Sequence, residues 1–177
     1  LMENTYLSKE SPAGYMVAMQ NFLIGAKNTK RYSEVQEYLM KLESFGQKQP
    51  GLEAPIFGIG TDIRLTIFID THNYSGGLQH SASIIKQLIK HEAKLSISHY
   101  SLFYFNLSYI ALAAGNYKAA LSTLNTLLND SRIRESKPDI FTAGLLLELV
   151  SLYESGKLNL LEARLLSAQR SMENLGV

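Results

Sequence analysis

The chain contains no cysteine, which excludes disulfides, thiolate metal sites and cysteine nucleophiles together. Proline is scarce: there are 4, Pro12, Pro50, Pro55 and Pro138, each where a helix can begin or a loop can turn. Charge is scarce as well. Only 19% of the 177 residues are charged, and 17 basic against 16 acidic side chains leave a net charge of +1. So even a balance offers no broad surface for nucleic acid or for an anionic membrane. Long apolar runs are missing too, because Asp62, Arg64 and Asp70 interrupt the most hydrophobic stretch, so no membrane insertion is expected. No signal-peptide pattern opens the chain. Leu1 stands where a natural protein carries methionine, so a fragment of a longer chain is expected. Composition does not fix the compartment; a cytoplasmic placement is the expectation for this domain. What the chain does have is apolar content, 46% of its residues, enough for one folded domain with a sizeable core.

One kind of corner recurs in NTKRYSEVQEYL (28–39), HNYSGGLQHS (72–81), GNYKAALSTL (115–124) and GKLNLLEARL (156–165). Aligned on Tyr32, Tyr74, Tyr117 and Leu158, the steps are 42, 43 and 41 residues. A fixed period of this size marks a solenoid, in which each unit buries its apolar face by stacking on a neighbour.

Between the corners the spacing is helical. Ser11-Pro12 suits an N-cap and a first helical position, and Tyr15, Met19, Phe22, Leu23 and Ala26 follow at three- and four-residue steps. Ser33 is expected to cap a second helix with Val35, Tyr38, Leu39 and Leu42 on one face. Residues 46–55 read as a loop. A third helix is expected over 55–72 although 63–69 is rich in β-branched residues, because the repeat phase demands it and tertiary context overrides propensity. Gly58 and Gly60 weaken its start. A fourth helix over 75–93 is expected to bury Ile84, Ile85, Leu88 and Ile89. Helices at 98–114 and 117–129, a charged connector at 131–138, a helix ending near 155 and a last one at 159–175 complete four antiparallel pairs.

The third pair, Tyr104-x-x-Leu107-Ser108-x-x-Ala111-x-x-x-Gly115-Asn116-Tyr117-x-x-Ala120-x-x-x-Leu124-x-x-Leu127, resembles a tetratricopeptide repeat. Small Ser108 and Ala120 let two helices approach, Tyr104, Leu107, Leu124 and Leu127 fill the crossing, and Gly115 can take a positive φ. The corresponding residues elsewhere match less well. They are Phe22, Leu23, Ala26 and Val35; Arg64, Leu65, Phe68 and Gly77, with His72 at the turn; and Glu148, Leu149, Leu152 and Leu161, with Gly156 kept. Arg64 and Glu148 stand at normally apolar positions, so each is expected to have a partner. The period also exceeds the family's, which is about 34 residues. The Gly156 hairpin with its Leu-Leu-Glu continuation is similar to tetratricopeptide-like proteins of Bacteroidetes.

The resemblance implies an all-α, right-handed solenoid of about four helical hairpins, one domain over residues 1–177. It implies a protein- or peptide-binding module, with the ligand-sensing domain of a bacterial regulator as the alternative. The family's groove lies on the first helix of each pair. By phase it falls on Val17, Gln20, Ile24 and Lys27; on Ile59, Asp62, Thr66 and Asp70; on Leu102, Phe105, Tyr109 and Leu112; and on Leu146, Val150 and Tyr153. The carboxylate clamp of that family needs Lys and Asn on successive first helices. Gln20 and Ile24, Asp62 and Thr66, Phe105 and Tyr109 stand there instead, so an acidic C-terminus is not the expected ligand. Asp62, Asp70, Phe105, Tyr109 and Tyr153 suit a partner with apolar and basic groups, the competing reading being that some of them pack against neighbouring repeats.

No enzyme, cofactor or metal is expected. His72 and His80, like His91 and His99, are eight residues apart and lack ligand spacing. Asp70, His72 and Tyr74 read as a polar turn rather than an acid–base cluster. Gly58-Ile59-Gly60 and Gly76-Gly77 lack what a dinucleotide loop or a P-loop requires. Lys27, Lys30 and Arg31, and Arg132, Arg134 and Lys137, are two basic clusters able to meet phosphate or an acidic partner, or simply solvated. Finally, Leu161, Leu165, Ala168, Met172 and Leu175 form one stripe, with Leu160 and Leu166 off it, which raises a homodimer through the last helix.

Overall fold

The structure is a computed structural model that describes residues 9–175, all of whose regular structure is helical. The helices are α1 (Pro12–Asn28), α2 (Tyr32–Gly46), α3 (Glu53–Asp70), α4 (Tyr74–His91), α5 (Ile97–Ala113), α6 (Tyr117–Leu128), α7 (Ser131–Ser136), α8 (Pro138–Glu154) and α9 (Leu158–Leu175). They form two compact units. The first holds α1, α2 and α3 as far as Ile67, with Ala93–Leu95; the second holds the last turn of α3, α4 and the elements from α5 onward.

In the first unit one apolar cluster joins Met19, Leu23 and Ala26 of α1, Val35, Leu39 and Leu42 of α2, and Ile56, Ile59 and Ile63 of α3. The β-branched run 63–69 is helical through this packing, with Ile63 and Leu65 buried. Gly60 also has a packing role. A Cβ there would sit 3.2 Å from Glu43 Oε1 and 3.3 Å from Arg64 Nη1. It leaves room for the pair expected at Arg64, whose guanidinium donates to both Glu43 oxygens at 2.5 and 2.8 Å. Ser11 caps α1 by accepting from Gly14 N, but Ser33 does not cap α2. The chain reverses so tightly at Lys30 that α2 begins at Tyr32, and its N-cap is Arg31.

In the second unit α4 packs on α5, α5 on α6, α6 on α8 and α8 on α9, with α5 also meeting α8. Ser108 and Ala120 are fully buried, and the Ser108 hydroxyl donates to Tyr104 O at 2.7 Å. Tyr104, Leu107, Leu124 and Leu127 are buried around them. Gly77, the counterpart of Ala120, has even less room: a Cβ would lie 2.9 Å from Ile110 Cγ2 and 3.3 Å from Phe68 Cβ. On α4 only part of the expected face is inside. Ile84 and Leu88 are buried, Ile85 is half-buried and Ile89 is 64% exposed, because it lies a further 100° round the helix from Leu88. The segment 131–138 is more than a connector. Its residues form α7, and Ile133 is fully buried where α7 meets α5, α6 and α8. Glu148 has the partner that its position demanded, since Arg164 of α9 donates to Glu148 Oε1 at 2.9 and 3.2 Å.

The four corners share one geometry. Lys30, His72, Gly115 and Gly156 all have positive φ, at 59°, 55°, 73° and 70°. At each, the N–H of that residue donates three residues back, and the next N–H donates five residues back. The pairs are Lys30 to Lys27 O and Arg31 to Ala26 O; His72 to Ile69 O and Asn73 to Phe68 O; Gly115 to Leu112 O and Asn116 to Ala111 O; Gly156 to Tyr153 O and Lys157 to Leu152 O. Each is a Schellman ending followed at once by a new helix. The 42-, 43- and 41-residue period therefore describes backbone geometry as well as sequence.

Candidate functional site

The eight residues singled out as a groove fall into two sets of four. Gln20, Lys27, Asp62 and Thr66 belong to the first unit, and Asp70, Phe105, Tyr109 and Tyr153 to the second.

In the first unit Gln20 and Lys27 are half-buried on α1, between Val17 and Ile24, which are 49% and 39% exposed. Together they form one row at helical spacing on the face away from Met19 and Leu23. On α3, Asp62 and Thr66 are half-buried, and the Thr66 hydroxyl is occupied by Asp62 O at 2.7 Å. Ile59 does not belong to the row: it is buried in the apolar cluster, since α3 turns that side toward α1 and α2.

The second unit carries the larger apolar surface. On α5, Phe103, Tyr104, Leu107, Ile110 and Ala111 face inward, while Leu102, Phe105 and Leu112 are half-buried and Tyr109 is 36% exposed. On the adjoining α8, Leu145 and Leu152 are inside, and Leu146, Val150 and Tyr153 are outside at 51%, 47% and 63%. The residues at 146, 150 and 153 repeat at four and three, so they line one side of the helix. Gly144 helps to set that helix close to α6, since a Cβ there would come within 2.8 Å of Leu127 Cδ2. These exposed apolar side chains make this part of the second unit the candidate partner surface.

Tyr109 is anchored at its polar end. Its ring meets Tyr74 edge-on at 6.1 Å, and a hydrogen bond between their side chains holds the Tyr74 phenol above its ordinary pKa. The ring of Tyr74 also meets His72 edge-on at 5.8 Å. Asp70 is exposed at the end of α3, just before this aromatic corner. The Tyr74–Tyr109 contact is not legible from local spacing, because the two residues are on different helices and neither departs from the helical period.

The basic clusters divide. Arg132 is committed to its own chain. It donates to Asp130 at 2.7 Å and to Glu92 at 2.9 Å, and its guanidinium lies 5.7 Å from the Tyr100 ring centre. Arg132 holds the Asp130 carboxyl below its ordinary pKa, chiefly through side-chain hydrogen bonds. Burial, and then Tyr104, push the Tyr100 phenol up. Arg31 is likewise engaged, donating to Glu34 at 3.0 Å. The histidines serve local roles: His80 Nδ1 bonds Gly76 O at 2.8 Å, and His99 Nδ1 meets the Ser96 hydroxyl at 3.1 Å. Among the described residues no three histidine or acidic side chains converge as a metal set, and no helix is long and apolar enough to cross a membrane.

Comparison of the chain with family models, with curated proteins and with solved structures finds no match.

Proposed function

We propose that this chain is a tetratricopeptide-like helical-repeat module that binds a protein or peptide partner through the first helices of its hairpins. In this reading α1–α2, α3–α4, α5–α6 and α8–α9 are four repeats of a right-handed solenoid. Four corners of one geometry at the sequence period support it. The observation that carries the binding reading is the exposed row Leu146, Val150 and Tyr153 on α8, beside Phe105 and Tyr109 on α5. Burying such a row against a partner gains roughly 25 cal/mol for each Å² of apolar surface removed from water. Exposed Asp70 and Glu154 in the same unit suit basic groups on that partner.

Peptides selected from a random display library against the intact chain test the reading. The expected selection carries spaced large apolar residues with Lys or Arg. Val150→Glu and Tyr153→Ala should each weaken a selected peptide at least about tenfold, which is about 1.4 kcal/mol, with the melting temperature unchanged. Peptides that bind these variants as tightly as the parent, or a library that yields none, would remove the reading.

A further inference from the structure

The outer side of α9 carries a pattern that the partner groove does not use. Leu158, Leu160, Leu165 and Leu166 are 53%, 55%, 48% and 61% exposed. Around Leu166 the charges are arranged symmetrically. Glu162 lies four residues before it and Arg170 four residues after, and both are exposed. Four residues advance a helix by about 6 Å with only about 40° of rotation, so these three side chains follow one line along the surface. The other charges of the helix are engaged differently. Arg164 faces inward to Glu148, and Glu173 accepts from Gln169 at 2.9 Å. Glu162 and Arg170 take part in no ion pair among the described residues.

We infer that α9 docks against α9 of a second copy of this chain, antiparallel, with the two-fold axis passing at Leu166. In that arrangement Leu166 meets its own counterpart, and Glu162 of each copy faces Arg170 of the other, twice. A two-fold interface must be self-complementary, and an opposite-charge pair equidistant from an apolar centre satisfies that condition. Parallel alignment sets Glu162 against Glu162 and Arg170 against Arg170, which repels. The charge order thus selects both the occupant and its direction. The contact is one helix against one helix, smaller than a standard interface of about 1,600 Å², so a weak, salt-sensitive dimer is expected. The inference does not depend on the α5–α8 groove.

Sedimentation of the intact chain across a concentration series, with charge reversal, tests it. The parent should pass from monomer to dimer. Glu162→Arg alone and Arg170→Glu alone should each weaken dimerisation at least about tenfold, and the double variant should return it to within about threefold of the parent. Both sites are exposed, so thermal melts should coincide and show that all variants fold. A parent that stays monomeric at every concentration overturns the inference. So does a double variant no better than the single ones, which would mean a contact elsewhere or one indifferent to these charges.

Discussion

The corners at Gly115 and Gly156 place glycine where those at Lys30 and His72 place a side chain, yet all four have the same pair of backbone hydrogen bonds and nearly the same φ. Glycine enters this region freely; an L-residue with a Cβ is disfavoured there by about 1–2 kcal/mol. What holds Lys30 and His72 is therefore the packing on either side. Leu23, Ala26 and Val35 are fully buried about the first corner, and Gly77 is in close contact with Phe68 and Ile110 beside the second. One corner geometry is thus reached both with glycine and without it, so at Lys30 and His72 the fold around the corner imposes it.

The largest test of that comparison exchanges side chains at the helix crossing. Ala120, Gly77 and Val35 each stand five residues after a positive-φ corner residue, and all three are buried. The α5–α6 crossing is built for a methyl group, whereas α1–α2 accommodates a valine. Ala120→Leu should overpack the former and cost about 1–3 kcal/mol. A thermal melt should show a midpoint several degrees lower. An unchanged midpoint would mean that the crossing is not the tight point of the hairpin.

The two ion pairs give the next contrast. Glu148 is only 12% exposed beside Arg164, whereas Arg64 and Glu43 are 37% and 36% exposed. Arg164→Ala strands a mostly buried carboxylate and should cost about 1–3 kcal/mol. Glu43→Ala leaves an arginine that reaches water and should cost about 0–1 kcal/mol. Denaturant titration of the two variants separates them; equal losses would show that depth does not decide the strength of these pairs.

Much of the helical layout was legible because the corners and the three- and four-residue apolar steps are local signals. The resemblance to the repeat motif places Ser108, Ala120, Tyr104 and Leu107 inside, where they are buried, and marks Arg64 and Glu148 as needing partners. The partners themselves, Glu43 and Arg164, come from other helices, and nothing in the local spacing singles them out. Ile133 was missed because its five charged and polar neighbours in SRIRES mask one apolar anchor. Ile89 was misplaced because a run of isoleucine and leucine supplies two candidate faces, and only the position of α5 chooses between them. Of the positions carried over by family phase, Leu146, Val150 and Tyr153 are exposed on one side of α8, but Ile59 needed the three-dimensional cluster to assign it to the core.

The corners themselves can be exchanged. Gly115→Ala and Gly156→Ala should each cost about 1 kcal/mol, because a Cβ must enter the left-handed region. Lys30→Gly and His72→Gly should be neutral or stabilising by up to about 1 kcal/mol, the relief of strain being partly offset by the freer unfolded chain. Four melts measure the set. If the glycine corners tolerate alanine without loss, the conformation is not strained here and the contrast between the two kinds of corner disappears.

The smallest effect lies at Arg132, which ties the start of α7 to Glu92 just beyond α4. Three donors of Arg132, its backbone N, Nε and Nη2, reach Asp130, at 2.9, 3.0 and 2.7 Å. They lower the Asp130 pKa, first through the side-chain hydrogen bonds. A carboxyl whose pKa is lower in the folded state adds stability above its unfolded value, near pH 3.9, and loses it as pH falls through the folded value. The contribution should therefore be intact at neutral pH and fade only below about pH 4. Arg132→Ala should lower the melting temperature slightly at pH 7 and bring the Asp130 titration, followed by carboxyl NMR shifts, up toward the ordinary range. It should also reduce the difference between variant and parent as the pH approaches 2. A constant difference from pH 7 to pH 2 would assign the role of Arg132 to packing on Tyr100 rather than to its charge.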